Sequence, residues 1–194
     1  KSINTIQDLD FKSVVEIAML SCRETHNSIA AECVTALFAI ALQAALCGCS
    51  KSEIRGLIQR QDWNKGAEYK YFLLEHAHLL VDRALGDSLD LQDLGGYIVD
   101  AFAIALWGFT HTDNFRDGML KVIQLGGDTD TNAAIYGQLA GAFYGYESIP
   151  EEWRGGVQLA DELIEIADNL LGMDGCQIIR PRFEDDRYFQ EKIS

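Results

Sequence analysis

The chain has 194 residues, of which 48% are hydrophobic, and a formal net charge of −14. This length and composition predict one globular domain with a real hydrophobic core rather than a disordered chain. The acidic balance argues against a general nucleic-acid binder and against a binder of anionic membranes, because both functions need a basic surface.

Helical periodicity dominates the first part of the chain. Residues 10–24 carry an apolar stripe at helical spacing, which predicts an amphipathic helix. Residues 29–47 are apolar on nearly all sides, with Ser28 as a candidate N-cap, which predicts a central buried helix. Glu32 and Gln43 interrupt that apolar run, so we interpret it as a core helix rather than a membrane span.

Weaker patterns follow in the middle of the chain. The pattern of residues 50–60 predicts a short helix capped by Ser50 or Ser52. Residues 67–84 have helical periodicity again, and the acidic residues 86–93 are predicted to form a loop. His76 and His78 are two residues apart and would lie on different helix faces, so they are not interpreted as a zinc pair.

Four further helices are predicted in the second half, and the one that follows residues 126–133 is described below. Residues 97–109 form a strongly apolar helix in which Trp107 is expected to pack, and a helix capped near Asn114 follows. Residues 155–171 predict an amphipathic helix with apolar residues on one side and acids on the other. The pattern fails over residues 173–194, which we interpret as a tail or a connection to another segment.

The cysteines bear on the cellular compartment. Five cysteines are scattered along the chain without a paired framework, which is typical of reduced thiols and predicts a cytoplasmic location. No signal peptide or transmembrane segment is predicted. The sequence opens on Lys1 rather than methionine, so it is compatible with a part of a longer product.

The most distinctive segment is Gly126-Gly127-Asp128-Thr129-Asp130-Thr131-Asn132-Ala133, which precedes a helix of small residues and is called the Gly126 block below. Asp130 or Thr131 is the expected N-cap. Its oxygen atoms could bind a hard cation such as Mg²⁺ or Mn²⁺, and the amides of the helix start could face a phosphate. The alternative is a Gly-Gly turn and a capped helix with solvated acids, and the D-x-D-T spacing alone leaves both open.

Small residues recur at every fourth position after the block, at Ala133, Gly137, Gly141 and Gly145, and therefore share one helix face. Each glycine inside a helix costs about 1 kcal/mol relative to alanine, so the repetition needs a reason. Close approach of another helix, or of a ligand, to this face would explain the repeated small residues. Of these two explanations, we expect packing of another helix.

Several motifs of this chain occur together in a known order. They are Thr25-His26 followed by Ala30, Gly95-Gly96-Tyr97-Ile98-Val99-Asp100, Ala105-Leu106-Trp107, Phe115, the Gly126 block with Ala134-Ile135-Tyr136-Gly137, Gly141-Ala142-Phe143-Tyr144-Gly145 and Ile149-Pro150. From about residue 10 to about residue 172, this series resembles the C-terminal half of the ADP-ribosylglycohydrolase family, which includes the dinitrogenase reductase-activating glycohydrolase.

The resemblance implies a fold and a site. The fold would be an all-α, compact orthogonal bundle of helices over residues 1–172, incomplete at its N-terminus. Asp128, Asp130 and Thr131 match the family's second set of metal ligands, for Mg²⁺ or Mn²⁺ and with two ions in a complete site. Asp130 would bridge the two metals, and Gly126 and Gly127 would lie against the ligand. His26 would donate to the diphosphate or to a ribose hydroxyl of ADP-ribose.

The family's N-terminal Ser/Thr-Asp-Asp motif, which supplies the other half of the metal site, does not occur in this sequence. Asp185-Asp186 is not a substitute, because Glu184 takes the place of Ser or Thr and the pair follows the Gly126 block. The catalytic residues are therefore unknown. An upstream segment or a second chain could complete the site.

Three functional hypotheses follow from the sequence. The first is Mg²⁺-dependent hydrolysis of the glycosidic bond between ADP-ribose and an acceptor, with an ADP-ribosylated protein or an ADP-ribose-like small molecule as the partner. The second is a non-catalytic member of the family that binds ADP-ribose, regulates, or is structural like the crystallin that resembles this family. The third is an unrelated acidic helical interaction protein.

Overall fold

In a computed structural model, residues 11–59 and 97–172 are described, and every regular element in these two ranges is helical. The α-helices are α1 (Phe11–Arg23), α2 (Ile29–Leu46), α3 (Lys51–Gln59), α4 (Ile98–Thr110), α5 (Phe115–Gln124), α6 (Thr129–Tyr144), α7 (Glu151–Arg154) and α8 (Ala160–Gly172), and a 3₁₀ turn covers Tyr146–Ser148. The all-α prediction is confirmed. The predicted helix over 67–84 with His76 and His78, the acidic loop over 86–93 and the tail over 173–194 lie outside the described residues.

Helix α2 is central, as its sequence predicts. It contacts α1, α3, α4 and α6, and its side chains at Leu37, Ala41 and Ala44 are fully buried. On length and composition it could cross a membrane, with a mean hydropathy of 1.9, but 56% of it is buried inside the molecule. Packing on several neighbouring helices explains why α2 is apolar nearly all round.

Two helices begin at the caps that the sequence predicts. Ser50 precedes α3, where the Glu53 carboxylate accepts a hydrogen bond from the Ser50 backbone N–H at 2.7 Å and the Ser50 hydroxyl accepts one from the Glu53 N–H at 3.3 Å. This reciprocal pair is a capping box. Asn114 Oδ1 accepts a hydrogen bond from the Asp117 N–H at 2.8 Å and caps α5. Ser28 holds the N-cap position of α2 without a side-chain hydrogen bond.

Helices α4, α5 and α6 pack against one another, and two glycines allow it. A Cβ atom at Gly118 would overlap the Tyr136 hydroxyl, and a Cβ atom at Gly108 would lie 2.5 Å from Val122 Cγ2. Both distances are below what side chains tolerate, so the close contact of these helices requires glycine at both positions.

Among the described residues, contact with the glycines along the small-residue face of α6 is limited to Gly137. A Cβ atom at Gly137 would meet Met119 Cε at 3.4 Å, and a Cβ atom at Gly141 would have no atom within 4 Å. The first distance is an ordinary van der Waals contact with α5, and no described residue approaches the second position. Within the described helices α3 to α6, the tight glycines are therefore Gly108 and Gly118, which have no repeating spacing in the sequence.

Helix α8 exposes large apolar side chains that no other described residue covers. The helix begins at Ala160, five residues after the predicted start at 155. Leu163 and Ile166 of α8 are 55% and 57% exposed. By contrast, Trp107 of α4 is 8% exposed, which confirms that it packs in the core as expected. The sequence therefore predicts the amphipathic pattern of α8 correctly but does not reveal that this pattern lacks a covering partner among the described residues.

Candidate functional site

The Gly126 block forms the turn between α5 and α6. Gly126 has a φ of 79° and Gly127 a φ of 69°, so two consecutive residues adopt the left-handed backbone conformation that glycine permits. The N-cap of α6 is Asp128, and its side chain makes no capping hydrogen bond. The predicted N-cap at Asp130 or Thr131 is wrong by two or three residues, because the turn already ends at Asp128. The Asp128 carboxylate is consequently not used to cap the helix.

Three oxygen-bearing side chains lie within one turn of helix here. Asp128 is half-exposed, and Asp130 and Thr131 are exposed. The pKa of Asp130 is lowered first by a side-chain hydrogen bond with the Asp128 carboxyl group. It is lowered further by a hydrogen bond that the Thr131 N–H donates to Asp130 Oδ1 at 2.9 Å. The two carboxyl groups therefore converge at the solvent-facing end of α6, where the helix dipole also favours negative charge.

This geometry fits part of a binding site for a hard cation. Mg²⁺ prefers six oxygen ligands, and Asp128, Asp130 and Thr131 offer two carboxylates and one hydroxyl. Within residues 11–59 and 97–172, no group of three or more His, Cys, Asp and Glu side chains is placed to hold a metal ion. The remaining ligands of a complete site would have to come from other residues or from water.

Beside the turn lie two buried side chains, Asn132 and Tyr136, whose structural roles the sequence motif does not reveal. Tyr136 is fully buried, and its hydroxyl donates a hydrogen bond to the Phe115 carbonyl at 3.0 Å, which ties α6 to the start of α5. Asn132 is 1% exposed, and neither polar atom of its side chain has a hydrogen-bond partner in the part of the chain described. Asp128, Asn132 and Tyr136 are four residues apart, and that spacing is the signal that could have placed them on one face.

His26 lies in a different loop, between α1 and α2. Its side chain is exposed, and Nδ1 lies 2.9 Å from the Thr25 hydroxyl. The loop is closed by an ion pair of 2.8 Å between Arg23 and the buried Glu32. Among the described residues no hydrogen bond joins His26 to the Gly126 block. The other five predicted site residues are near-neighbours in the sequence and lie in the turn between α5 and α6.

Comparisons with known proteins agree with one another. The sequence model of the family described as ADP-ribosylglycohydrolase matches residues 5–177. The chain is 33% identical over 151 residues to ADP-ribosylarginine hydrolase Tri1 of Pseudomonas putida (strain GB-1), a match that covers 75% of this chain and 37% of that protein. It is 36% identical over 81 residues to the ADP-ribosyl-[dinitrogen reductase] glycohydrolase of Rhodospirillum rubrum, over 41% of this chain and 28% of that protein.

A solved structure is also similar. A chain of an ADP-ribosylglycohydrolase-related protein complex superposes with a TM-score of 0.62 and 30% identity, over 79% of this chain and 50% of that chain. The present chain therefore spans half of this structural neighbour, and 37% and 28% of the two curated relatives. Similarity in sequence and in fold thus point to the same family.

Proposed function

The chain belongs to the ADP-ribosylglycohydrolase family, and from this membership we propose that it supplies part of the active site of a Mg²⁺-dependent hydrolase. The reaction is hydrolysis of the glycosidic bond that joins ADP-ribose to an acceptor on a modified protein or small molecule. The observation that carries the proposal is the convergence of Asp128 and Asp130 beside Thr131, at the solvent-facing start of α6.

Each site residue has a role in this proposal. Asp128, Asp130 and Thr131 would hold Mg²⁺ or Mn²⁺, with two ions in a complete site. The bound cations would supply a Lewis acid and an activated water for attack on the anomeric carbon. Gly126 and Gly127 present no side chain, so the ribose or the diphosphate can come close to the backbone. The amides at the start of α6 favour an anionic group.

His26 has a separate proposed role. An imidazole N–H can donate a hydrogen bond to a diphosphate oxygen or to a ribose hydroxyl oxygen. Its exposed position, with Nδ1 turned to the Thr25 hydroxyl, leaves Nε2 as the atom for that contact. Because α2 contacts α6, the loop of His26 belongs to the same packed unit as the Gly126 block.

The acceptor is proposed from the relatives. One relative is an ADP-ribosylarginine hydrolase, and another is a glycohydrolase of ADP-ribosyl-dinitrogen reductase. ADP-ribosylated arginine on a protein is therefore the first substrate to test. Since this chain covers 37% of the first relative, activity is expected to need residues beyond those that provide the three oxygen ligands described here. A general acid or base is not assigned.

A non-catalytic function is the second candidate. It follows from the 37% and 28% of the two curated relatives that this chain covers, because part of a domain can bind a ligand without carrying every catalytic residue. In that case the chain would bind ADP-ribose, or act in regulation or structure, without cleaving a bond.

Calorimetric titration of ADP-ribose into the chain, in Mg²⁺ and again in EDTA, tests the proposal. We expect binding in Mg²⁺ only, and a loss of affinity of about 10-fold or more in Asp130→Asn, because one metal ligand is lost. Asp161→Asn is the matched control, since Asp161 is an exposed aspartate on α8. Equal binding in EDTA, or undiminished binding by Asp130→Asn, would contradict the metal role.

A second measurement separates the two candidates. ADP-ribosylarginine is incubated with the chain and Mg²⁺, and free ADP-ribose is quantified by chromatography. Binding together with release of ADP-ribose supports the hydrolase. Binding without release favours the non-catalytic function.

A further inference from the structure

Asn132 of α6 has a buried carboxamide group that the described chain does not satisfy. Its side chain is 1% exposed, and neither Nδ2 nor Oδ1 has a hydrogen-bond partner among the described residues. Buried side-chain amides nearly always have a partner, because burial takes them out of water. An apolar side chain of similar shape would cost less at this position. The stability of the fold therefore does not explain why the residue is an asparagine.

The position of Asn132 in α6 points to the Gly126 block. Its backbone N–H donates a hydrogen bond to the Asp128 carbonyl at 3.0 Å, so the two residues are one helical turn apart. Side chains at this spacing of four are neighbours on the helix surface. Asp128 is half-exposed, whereas Asn132 and Tyr136, one turn further on, are buried. Asn132 therefore lies at the boundary between the block and the core.

The neighbours of Asn132 on this side of the helix indicate its partner. The Tyr136 hydroxyl is bonded to the Phe115 carbonyl and serves the core. The Asp128 carboxyl group makes no capping hydrogen bond, and its two oxygens can serve two partners at once. Thr129, three residues before Asn132, offers an uncharged hydroxyl, and an amide bonds a carboxylate more strongly than a hydroxyl. The Asp128 carboxylate is therefore the favoured acceptor.

We propose that Asn132 is a positioning residue, whose carboxamide donates a hydrogen bond to the Asp128 carboxylate and orients it toward a bound cation. The inference rests on the proposed cation role of Asp128. An amide suits this task because it is an uncharged donor and does not repel the cation as a lysine would. Hydrogen bonds that orient metal-binding carboxylates typically change metal affinity by about 10- to 100-fold.

The affinity of the full chain for Mn²⁺ tests the proposal, with the free ion measured by electron paramagnetic resonance. Asn132→Leu removes both hydrogen-bonding atoms and keeps a branched side chain, and we expect the affinity to fall by about 10-fold or more. Its urea midpoint should equal or exceed that of the wild type, because an apolar group replaces an unsatisfied amide. Asn132→Ala repeats the affinity measurement without adding volume, and the same loss is expected.

Gln43→Leu is the matched control, because Gln43 Oε1 is also buried and has no partner among the described residues. Gln43 lies in the last turn of α2, which leads into α3. Lys51 of α3 donates a hydrogen bond to the Thr112 carbonyl, and so does Tyr144, the last residue of α6. This end of α2 therefore connects to the end of α6 that is remote from the Gly126 block. We expect Gln43→Leu to bind Mn²⁺ within about twofold of the wild type.

Asp130→Asn distinguishes failure of this inference from failure of the proposed function. If Asp130→Asn loses Mn²⁺ binding while both Asn132 variants bind as the wild type does, the cation site stands and Asn132 has no positioning role. Lower urea midpoints in both Asn132 variants, or an equal loss of affinity in Gln43→Leu, would make Asn132 a structural residue. If the wild type binds no Mn²⁺, or Asp130→Asn binds it equally well, the cation role itself fails and the inference falls with it.

Discussion

Helices α2 and α8 both have apolar side chains at helical spacing, but they occupy opposite environments. Leu37 of α2 is fully buried, whereas Leu163 of α8 is 55% exposed. Helix α2 contacts α1, α3, α4 and α6, and these neighbours cover it on several sides. The comparison shows that an apolar pattern in the sequence predicts a helix and its apolar face, but not whether that face is covered.

The acids of the two helices differ in the same way. Glu32 of α2 is 5% exposed and is paired with Arg23 at 2.8 Å, whereas Asp161 and Glu162 of α8 are exposed. A carboxylate can be buried only when a partner compensates the lost hydration. The acids of α8 remain hydrated and need no such partner.

The largest expected effect comes from removing one leucine from each helix. Leu37→Ala should lower the free energy of unfolding by about 2–5 kcal/mol, because it leaves a cavity in the core. Leu163→Ala should change it by less than about 0.5 kcal/mol, because the side chain is mostly in water. Urea unfolding followed by circular dichroism measures both. Similar losses in the two variants would mean that α8 is covered in solution.

A glycine pair gives the next effect. Gly118→Ala places a Cβ atom on the Tyr136 hydroxyl and should destabilise the chain by about 1–3 kcal/mol through overpacking. Gly156→Ala, just before α8, meets only carbonyl oxygens at 3.5 Å or more and should be neutral within about 0.5 kcal/mol. Urea midpoints compare the two variants, and an unchanged midpoint for Gly118→Ala would contradict the tight contact of α5 with α6.

Tyrosine hydroxyls provide a smaller test. Tyr136→Phe leaves the Phe115 carbonyl without its buried donor and should cost about 1 kcal/mol. Tyr146→Phe is the control, since Tyr146 is 46% exposed and water can replace the hydroxyl. Thermal unfolding should show a lower midpoint for the first variant than for the second. The reverse order would argue against the anchoring of α6 on α5 by Tyr136.

The smallest effect depends on pH. Burial of Cys33 in α2 raises the pKa of its thiol from 9.0 to about 12, with a further rise from Glu32. The unfolded thiol therefore ionises first as the pH rises, so the stabilisation is present below pH 9.0 and is lost on the way to about pH 12.

Between pH 8 and pH 10 this group should remove about 1 kcal/mol from the stability of the wild type. The Cys33→Ala variant should lack that part of the pH slope. Urea unfolding at the two pH values, on both proteins, measures the difference. Parallel slopes would mean that the folded thiol ionises as easily as the unfolded one.

Much of the fold and the site motif could be predicted from local sequence. The caps at Ser50 and Asn114, the central position of α2 and the Gly126 block all depend on residues within one or two helical turns. Four expectations stay predictions. They are the metal role of Asp128, Asp130 and Thr131, the ligand role of His26, the end of the domain at residue 172 and the cytoplasmic location. They concern ligands, chain segments or a cellular context that the packing of these helices does not report.

The sequence by itself determined which segments are helices, where most of them begin and which family the chain resembles, because capping, periodicity and motif spacing are local properties. The tertiary structure decided that Gly108 and Gly118 are the tight glycines of helices α3 to α6, while no described residue lies within 4 Å of a Cβ atom at Gly141. It also decided that Tyr136 anchors α6 on α5 and that Leu163 and Ile166 of α8 are more than half exposed. Each of these depends on the distance between two helices that are separate in the sequence, and no local pattern encodes that distance.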